Sequence, residues 1–388
     1  MQISLVFAVL VFHICHRSYS QNVTVTCEEG KYPPDPRTKV GTFIINLDQP
    51  PEKRWTTLAK VMGPGIQQLL ESFKQYAKDW TKAADAIIHF VDTKGGSLDG
   101  TLPYPFAGEI SGFANDSGIN LGELLLYNLF YEFFTVCTSI VAEDPNGTLY
   151  HARNLDFGLF LGWDIKNKTW AITEKLRPLI VNLDWQRGGQ TVFKSTNFAG
   201  YIGILTAVKP KLFTLTMNER FNIDGGFIGI IKWLLGNHNE TWMSFLTRSV
   251  MENATSFQDA KTRLQNTVML APAYFILGGN SSGQGAVITR SREGAVDVWG
   301  MRNASGWYIL ETNYDHWKAP LIVDDRRGPA HKCMDKMGQK NVGFAGIFNV
   351  LSSQPVLNKL TTYTALMHVA SGNLTTFIQT CKDPCSPW

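Results

Sequence analysis

Cys137-Thr-Ser-Ile-Val-Ala-Glu143, Asp144-Pro-Asn-Gly147 and Thr148-Leu-Tyr-His151-Ala-Arg153-Asn-Leu-Asp156-Phe157 read as strand, turn and strand. Asp-Pro-Asn-Gly between two β-patterned runs predicts an antiparallel hairpin. If those four residues form the loop, Glu143 pairs with Thr148 and Cys137 lies opposite Asn154. Ala152 and Asp156 are then its diagonal neighbours on the same face. Arg153 points to the other face unless the strand bulges there. The expectation is that local geometry brings Asp156 to the cysteine, and that Arg153 needs an irregularity to join it.

Working outward, the other cysteines make Cys137 the odd one. Ile3 to Ile14 is mostly apolar but too short to span a bilayer, and Ser18-Tyr19-Ser20 offers small residues before a cut at Gln21. Residues 1–20 therefore read as a signal peptide, although no Lys or Arg precedes the apolar run. Sequons at Asn22, Asn115, Asn146, Asn167, Asn239, Asn253, Asn280, Asn303 and Asn373 support secretory passage, since chance supplies about three in such a chain. Loss of the leader removes Cys15 and leaves Cys27, Cys137, Cys333, Cys381 and Cys385. An odd number in an oxidising compartment leaves one thiol unpaired. Cys381-Lys-Asp-Pro-Cys385 is close enough to bridge across a turn, which leaves Cys27 and Cys333 as a long-range pair. Four cysteines allow three connectivities, so spacing alone keeps the pairing open.

The 36 basic and 33 acidic residues are interspersed, with no dense cationic run of the kind that binds nucleic acid. Protonated histidines would add cationic charge in acid and favour an anionic membrane surface. After the strand-like Thr42–Asn46, apolar residues recur at spacings of three and four from Trp55 to Val91, predicting a helix with one apolar face. Core packing is the favoured role for that face, with membrane docking as the alternative. A second helix starts at Leu121 and runs toward Phe134. Glu123, Asn128 and Glu132 interrupt it, so it does not read as membrane-spanning. Beyond Thr135 the pattern turns to short β runs: Thr138–Glu143, Leu149–Asn154, Thr169–Thr173, Val192–Lys194, Tyr201–Val208, Phe213–Asn218, Tyr274–Leu277, Ala286–Thr289 and Trp307–Thr312. Helical insertions are expected at Phe227–Leu235 with Trp242–Met251, and at Ser256–Gln265. Grouped hairpins and helices predict α+β architecture with antiparallel sheet.

A thiol that opens a strand suits one chemistry. Cut before Cys137, the chain would carry a nucleophilic sulfur and an α-amine on one residue. That amine, with an ordinary pKa of about 8, can act as general base without a histidine. Taken alone, an isolated cysteine is more often an inert buried thiol. The surrounding residues point further. The segment from Cys137 to Phe157 resembles the nucleophile segment of the acid ceramidase family and its amidase relatives. Met217-Asn-Glu219-Arg-Phe221, Ala271-Pro-Ala-Tyr-Phe-Ile-Leu-Gly-Gly279, Thr312-Asn313-Tyr-Asp315 and Asp324-Asp-Arg326-Arg327 match in family order. The likeness covers nearly all of the chain after residue 40.

That resemblance places the sequence in the choloylglycine-hydrolase-like branch of the N-terminal-nucleophile hydrolases. It implies a four-layer αββα sandwich, with residues 21–136 a mainly helical α subunit and 137–388 the catalytic β subunit. The implied reaction is hydrolysis of the N-acyl amide of ceramide and related lipids, after self-cleavage between Val136 and Cys137. Cys137 would attack the amide carbon while its own amine moves the proton. Asp156 would hold that amine, and Arg153 and Arg326 would favour thiolate. Asn313 would donate its side-chain NH₂ to the oxyanion, and Glu219 would organise the site. No cofactor is implied. The implied partners are a saposin-type activator and an anionic lysosomal membrane, with the two subunits a disulfide-linked heterodimer. The implied location is the lysosomal lumen, with secretion as a second destination.

The nearest rival is the family's N-acylethanolamine-hydrolysing amidase. Against it stand the long stretch Phe157 to Trp170 and the Cys381/Cys385 tail, both similar to acid ceramidase. A non-catalytic secreted lipid-binding glycoprotein is the rival from another class, and it would never split at Cys137. Gly279-Asn-Ser-Ser-Gly283 formally matches a serine-hydrolase elbow, but it leads into a strand where that motif needs a helix. It reads as a glycosylated hairpin loop. There is no His-Glu-x-x-His zinc motif.

Overall fold

The computed structural model describes residues 25–78, 101–130, 135–157, 162–220, 229, 233, 236 and 238–385. Fifteen strands occur among them: β1 (Thr42–Asn46), β2 (Thr135–Glu143), β3 (Leu149–Phe157), β4 (Trp163–Asp164), β5 (Thr169–Trp170), β6 (Ile180–Arg187), β7 (Gln190–Phe198), β8 (Thr206–Lys209), β9 (Phe213–Glu219), β10 (Ala273–Gly279), β11 (Gly285–Arg290), β12 (Ala295–Gly300), β13 (Tyr308–Glu311), β14 (Thr361–His368) and β15 (Asn373–Ile378). They build an eight-stranded sheet in the order β1-β6-β7-β8-β9-β10-β11-β12 and a five-stranded sheet in the order β13-β2-β3-β14-β15, with β4 and β5 a separate ribbon.

The sheets face each other, β2 and β3 packing on β9 and β10 and β14 on β8. Val141, Tyr274, Ile276, Val287 and Ile309 fill part of the space between them. Helices cover the outer faces. The N-terminal helices α1 (Thr56–Lys78), α2 (Phe106–Ser117) and α3 (Leu121–Phe130) share the main core with the large sheet, as do α5 (Met243–Asn253) and α6 (Phe257–Asn266). The short α4 (Ala171–Leu176) packs on α1 and β14. Helices α7 (Arg327–Met337) and α8 (Phe344–Leu351) cover the small sheet. The result is the expected four-layer αββα sandwich.

The apolar face of α1 goes to the core: Leu58, Ala59, Ile66, Leu69 and Leu70 are buried. Core packing therefore accounts for this face over the described part of the helix. Ser256 caps α6 by accepting from the Asp259 N–H at 3.0 Å. The disulfides are Cys27–Cys333 and Cys381–Cys385, and Cys137 is free and buried.

Several expectations need correction. The Thr169–Thr173 run is a strand only to Trp170, where α4 takes over, and the run from Tyr201 becomes a strand only at Thr206. Strands β4, β6, β12, β14 and β15, and helices α2, α7 and α8, are additional. Strands β6 and β14 are buried along most of their length, their alternate polar residues being buried (Asn182, Thr362, Thr364) or half-buried (Asp184) with the rest. The sheets are antiparallel except at one edge, where β1 pairs parallel with β6. The N-terminal segment thus contributes a strand to the large sheet as well as helices. The proposed leader, Asn22, the helical pattern from Trp80 to Val91, Phe221 and most of Phe227–Leu235 lie outside the described residues.

Candidate active site

One residue of loop length decides the geometry. Asp144 and Thr148 pair, Asp144 N–H donating to the Thr148 carbonyl at 2.9 Å, so the hairpin loop is Pro145-Asn146-Gly147. Gly147 closes it at φ +84°, a left-handed conformation that favours glycine. The register moves by one: Glu143 faces Leu149, Cys137 faces Leu155, and Ser139 faces Arg153. A slip of one residue exchanges the faces of a strand. Arg153 is therefore the diagonal neighbour on the cysteine's own face, without any bulge, and Asp156, opposite Val136, points to the other side. This reverses the expectation read from the turn.

The thiol enters the space between the sheets. There the Arg153 Nη2 donates to the Cys137 Sγ, while Nη1 donates to the Leu205 carbonyl at 2.8 Å and to Thr206 Oγ1 at 3.2 Å. Strand β8 thus fixes the guanidinium that rests on the sulfur. On the outer face, Asp156 accepts from Asn358 Nδ2 at 3.1 Å and lies 3.5 Å from Arg326 Nη1. Arg326 reaches the main chain of the cysteine, Nη1 donating to the Cys137 carbonyl at 2.6 Å and Nη2 to Asn313 Oδ1 at 2.9 Å. Asp324 holds its Nε at 2.9 Å. The two arginines therefore approach the residue from opposite faces, one at sulfur and one at backbone.

Asn313 follows β13 and meets Cys137 directly. Its Oδ1 accepts from the Cys137 N–H at 2.9 Å, and its Nδ2 donates to the Glu219 carbonyl at 2.7 Å. Two donors converge on Oδ1, which fixes the orientation of the amide. This amide therefore ties the Cys137 main chain to the strand bearing Glu219. All of Cys137, Arg153, Asp156, Glu219, Asn313 and Arg326 thus gather here, with the Arg153 side chain and the Asp156 backbone N–H on the sulfur.

Burial dominates the electrostatics. It pushes the Cys137 thiol up to about 11, Arg153 and Arg326 opposing this and Asp156 adding to it. Both arginines thus favour the thiolate, as the family resemblance implies, but in the intact chain burial outweighs them. Burial also raises the Asp156 carboxyl above its usual range, with Arg326 the largest opposing influence. His151, on the same face two residues from Arg153, is pushed down to about 3 by burial and by Arg153. Its ring nitrogens pair with Thr214 Oγ1 at 2.8 Å and Thr216 Oγ1 at 3.2 Å.

Sequence reasoning missed Asn218, Thr206, Asn358 and Asp324. Asn218 lay in view inside the Met217–Phe221 stretch, but polar residues at alternate positions of a strand ordinarily read as its solvent face. The Gly279–Gly283 run is a hairpin loop between β10 and β11, as expected, with Ser282 Oγ donating to Glu143 at 2.9 Å.

Residues 137–330 match the family model of linear amide C–N hydrolases, choloylglycine hydrolase family, a match that begins on Cys137 itself. The acid ceramidases of Bos taurus and Homo sapiens are each 50% identical over 369 residues, covering 94% of this chain and 93% of theirs. The chain belongs to the acid ceramidase family. Membership makes it an amidase, with Cys137 at the head of the family's matched region. Residues 38–102 match the model of the β subunit of N-acylethanolamine-hydrolysing acid amidase. Among solved structures, the Caenorhabditis elegans ortholog of that amidase superposes with a TM-score of 0.52 at 29% identity, covering 63% of this chain and 100% of that one.

Proposed function

We propose that the chain cuts itself between Val136 and Cys137 and then hydrolyses the N-acyl amide of ceramide to sphingosine and fatty acid. The observation that carries the substrate is the half-identity to acid ceramidases along almost the whole chain. The N-acylethanolamine amidase resemblance is weaker in identity and covers less of the chain. In the cut, the Cys137 sulfur bonds to the Val136 carbonyl carbon and the thiol proton passes to the departing nitrogen. The C–N bond breaks, and water hydrolyses the resulting thioester, freeing the Val136 carboxyl. The same sulfur then attacks the substrate amide, with the new α-amine as proton carrier. Purified split protein should release sphingosine from N-acylsphingosine faster than it cleaves an N-acylethanolamine. The reverse order would move the chain to the rival substrate.

The outer-face geometry gives Arg326 a role through Asp156. Asp156, on β3 directly opposite Val136, would hold the new amine only as carboxylate. Its pKa is already raised, and Arg326 opposes that rise. In Arg326→Gln the carboxylate is therefore lost at a higher pH. Turnover should fall more at acid than at neutral pH, checked by kcat profiles of the two proteins. A uniform loss would assign Arg326 to the Asn313 and Cys137 backbone contacts alone.

Passage through the secretory pathway to the lysosome is part of the same reading. Eight sequon asparagines are described, and all are exposed, whereas only Asn120, Asn266 and Asn341 are exposed among the other described asparagines. Glycan acceptors must be accessible, so this bias supports their use. A lipid bilayer is the surface from which substrate would come. Between Asn313 and Arg326 the chain exposes Trp317 (49%), Leu321 (62%) and Ile322 (81%), an apolar loop beside the site that supports docking on lipid. A saposin-type activator would complete the presentation of ceramide.

A further inference from the structure

We propose that Asn218 is a positioning residue of this site, its side-chain amide tying the arginine on the thiol to the main chain that carries Asn313. The inference rests on the reading of Cys137 as nucleophile.

Arg153, Ser139 and Glu311 form one row across neighbouring strands: Arg153 of β3 pairs with Ser139 of β2, which pairs with Glu311 of β13. Asn218 comes from β9 in the facing sheet and sits over that row. Its Oδ1 accepts from Ser139 Oγ at 3.2 Å and from Arg153 Nη2 at 3.4 Å. Its Nδ2 donates to the carbonyls of Glu311 at 3.1 Å and Thr312 at 2.8 Å. A neutral amide has two N–H donors and one oxygen with two lone pairs, and here every one is engaged. Because the nitrogen faces two carbonyls and the oxygen faces a guanidinium, the amide cannot be turned over without losing those three contacts.

The two ends of this clamp matter chemically. Arg153 Nη2, which Asn218 accepts from, is the nitrogen that donates to Cys137 Sγ. The Thr312 carbonyl belongs to the peptide immediately before Asn313, whose Oδ1 receives the Cys137 N–H. A bond farther out reinforces the arrangement. Arg220 and Asp315 pair at 2.6 and 2.9 Å, so the residue after Glu219 grips the residue two beyond Asn313. Fully buried amides are rare in strands unless every polar atom is satisfied. What singles out Asn218 is that its satisfied contacts fall on the thiol's arginine and on the oxyanion candidate's backbone.

The test uses the mature, split protein and two substitutions. In Asn218→Asp the shape is kept. A protonated carboxyl can still donate to one carbonyl and accept from Arg153, but a carboxylate faces two carbonyl oxygens and draws Arg153 from the sulfur. Turnover relative to the native protein should fall by about ten- to a hundredfold as pH rises through that carboxyl's pKa, with KM changing less than kcat. The pH profile for alkylation of Cys137 by iodoacetamide should move upward. Asn218→Ala should lower kcat at every pH and move the same alkylation profile. If both variants alkylate with the native profile, or lose activity uniformly with only a lower melting temperature, Asn218 is merely structural and the proposal is overturned. Alkylation reports on the thiol without any substrate. Failure of the hydrolysis reading would instead appear as amide cleavage by the Cys137→Ala protein.

Discussion

The Cys137→Ala chain is expected to remain in one piece and to hydrolyse no amide. Removing the nucleophile of a covalent mechanism costs on the order of a millionfold in turnover, and here the same sulfur performs both the cut and the catalysis. The substitution should spare the fold, because Cys137 lies in a paired strand whose register is held by Leu155 opposite and by the Gly147 turn. What is lost is the sulfur with its contacts to the Arg153 guanidinium and the Asp156 backbone. Mass analysis of the secreted protein checks the cut: the native protein should yield a larger chain that begins at Cys137, and the variant should show no such terminus. Splitting of the variant at the same bond would mean that a separate protease makes it.

The second large effect concerns what holds the two pieces together. Cys27 and Cys333 lie on opposite sides of the proposed cut, so denaturing electrophoresis should show one species without reductant and two with it. Under native conditions the reduced pieces should nevertheless stay associated. Strand β1 from the smaller piece pairs with β6 of the larger, and Glu109 of the smaller is gripped by Arg248 of the larger. Arg248 Nη2 and Nη1 donate to Glu109 at 2.9 and 3.1 Å, and its Nε donates to Glu252 at 2.6 Å. Arg54 and Trp55 Nε1 each add a bond to Glu109 at 2.8 Å.

Burial alone would raise the Glu109 carboxyl, but Arg248 and the hydrogen bonds hold it below its ordinary value of 4.5. Its contribution is therefore complete above 4.5 and is lost only as pH falls through the lower folded value. Arg248→Met strips the carboxylate of its main partner and should cost about 3–5 kcal/mol. Loss of association after reduction, together with a lowered melting temperature, is the expected outcome. Native-like melting of the variant would show that Arg54 and Trp55 suffice.

Residue chemistry and spacing were enough to establish the odd cysteine, the hairpin that holds it, the excess of sequons and the α+β class. These are local properties: turn residues, periodicity and composition act within a few positions of themselves. The family's motifs likewise mark Asp156, Glu219, Asn313 and Arg326, but as points on a line. Tertiary structure alone decided what each one touches. A three-residue loop in place of four moved Arg153 onto the thiol and Asp156 behind it, because a strand exchanges faces with every residue of slip. Asn218 could be recognised only once two sheets were stacked, since its partners lie 65 to 94 residues away. The charge state of the thiol was also beyond sequence. Neighbouring arginines can be counted along the chain, whereas the burial that outweighs them belongs to the packed whole.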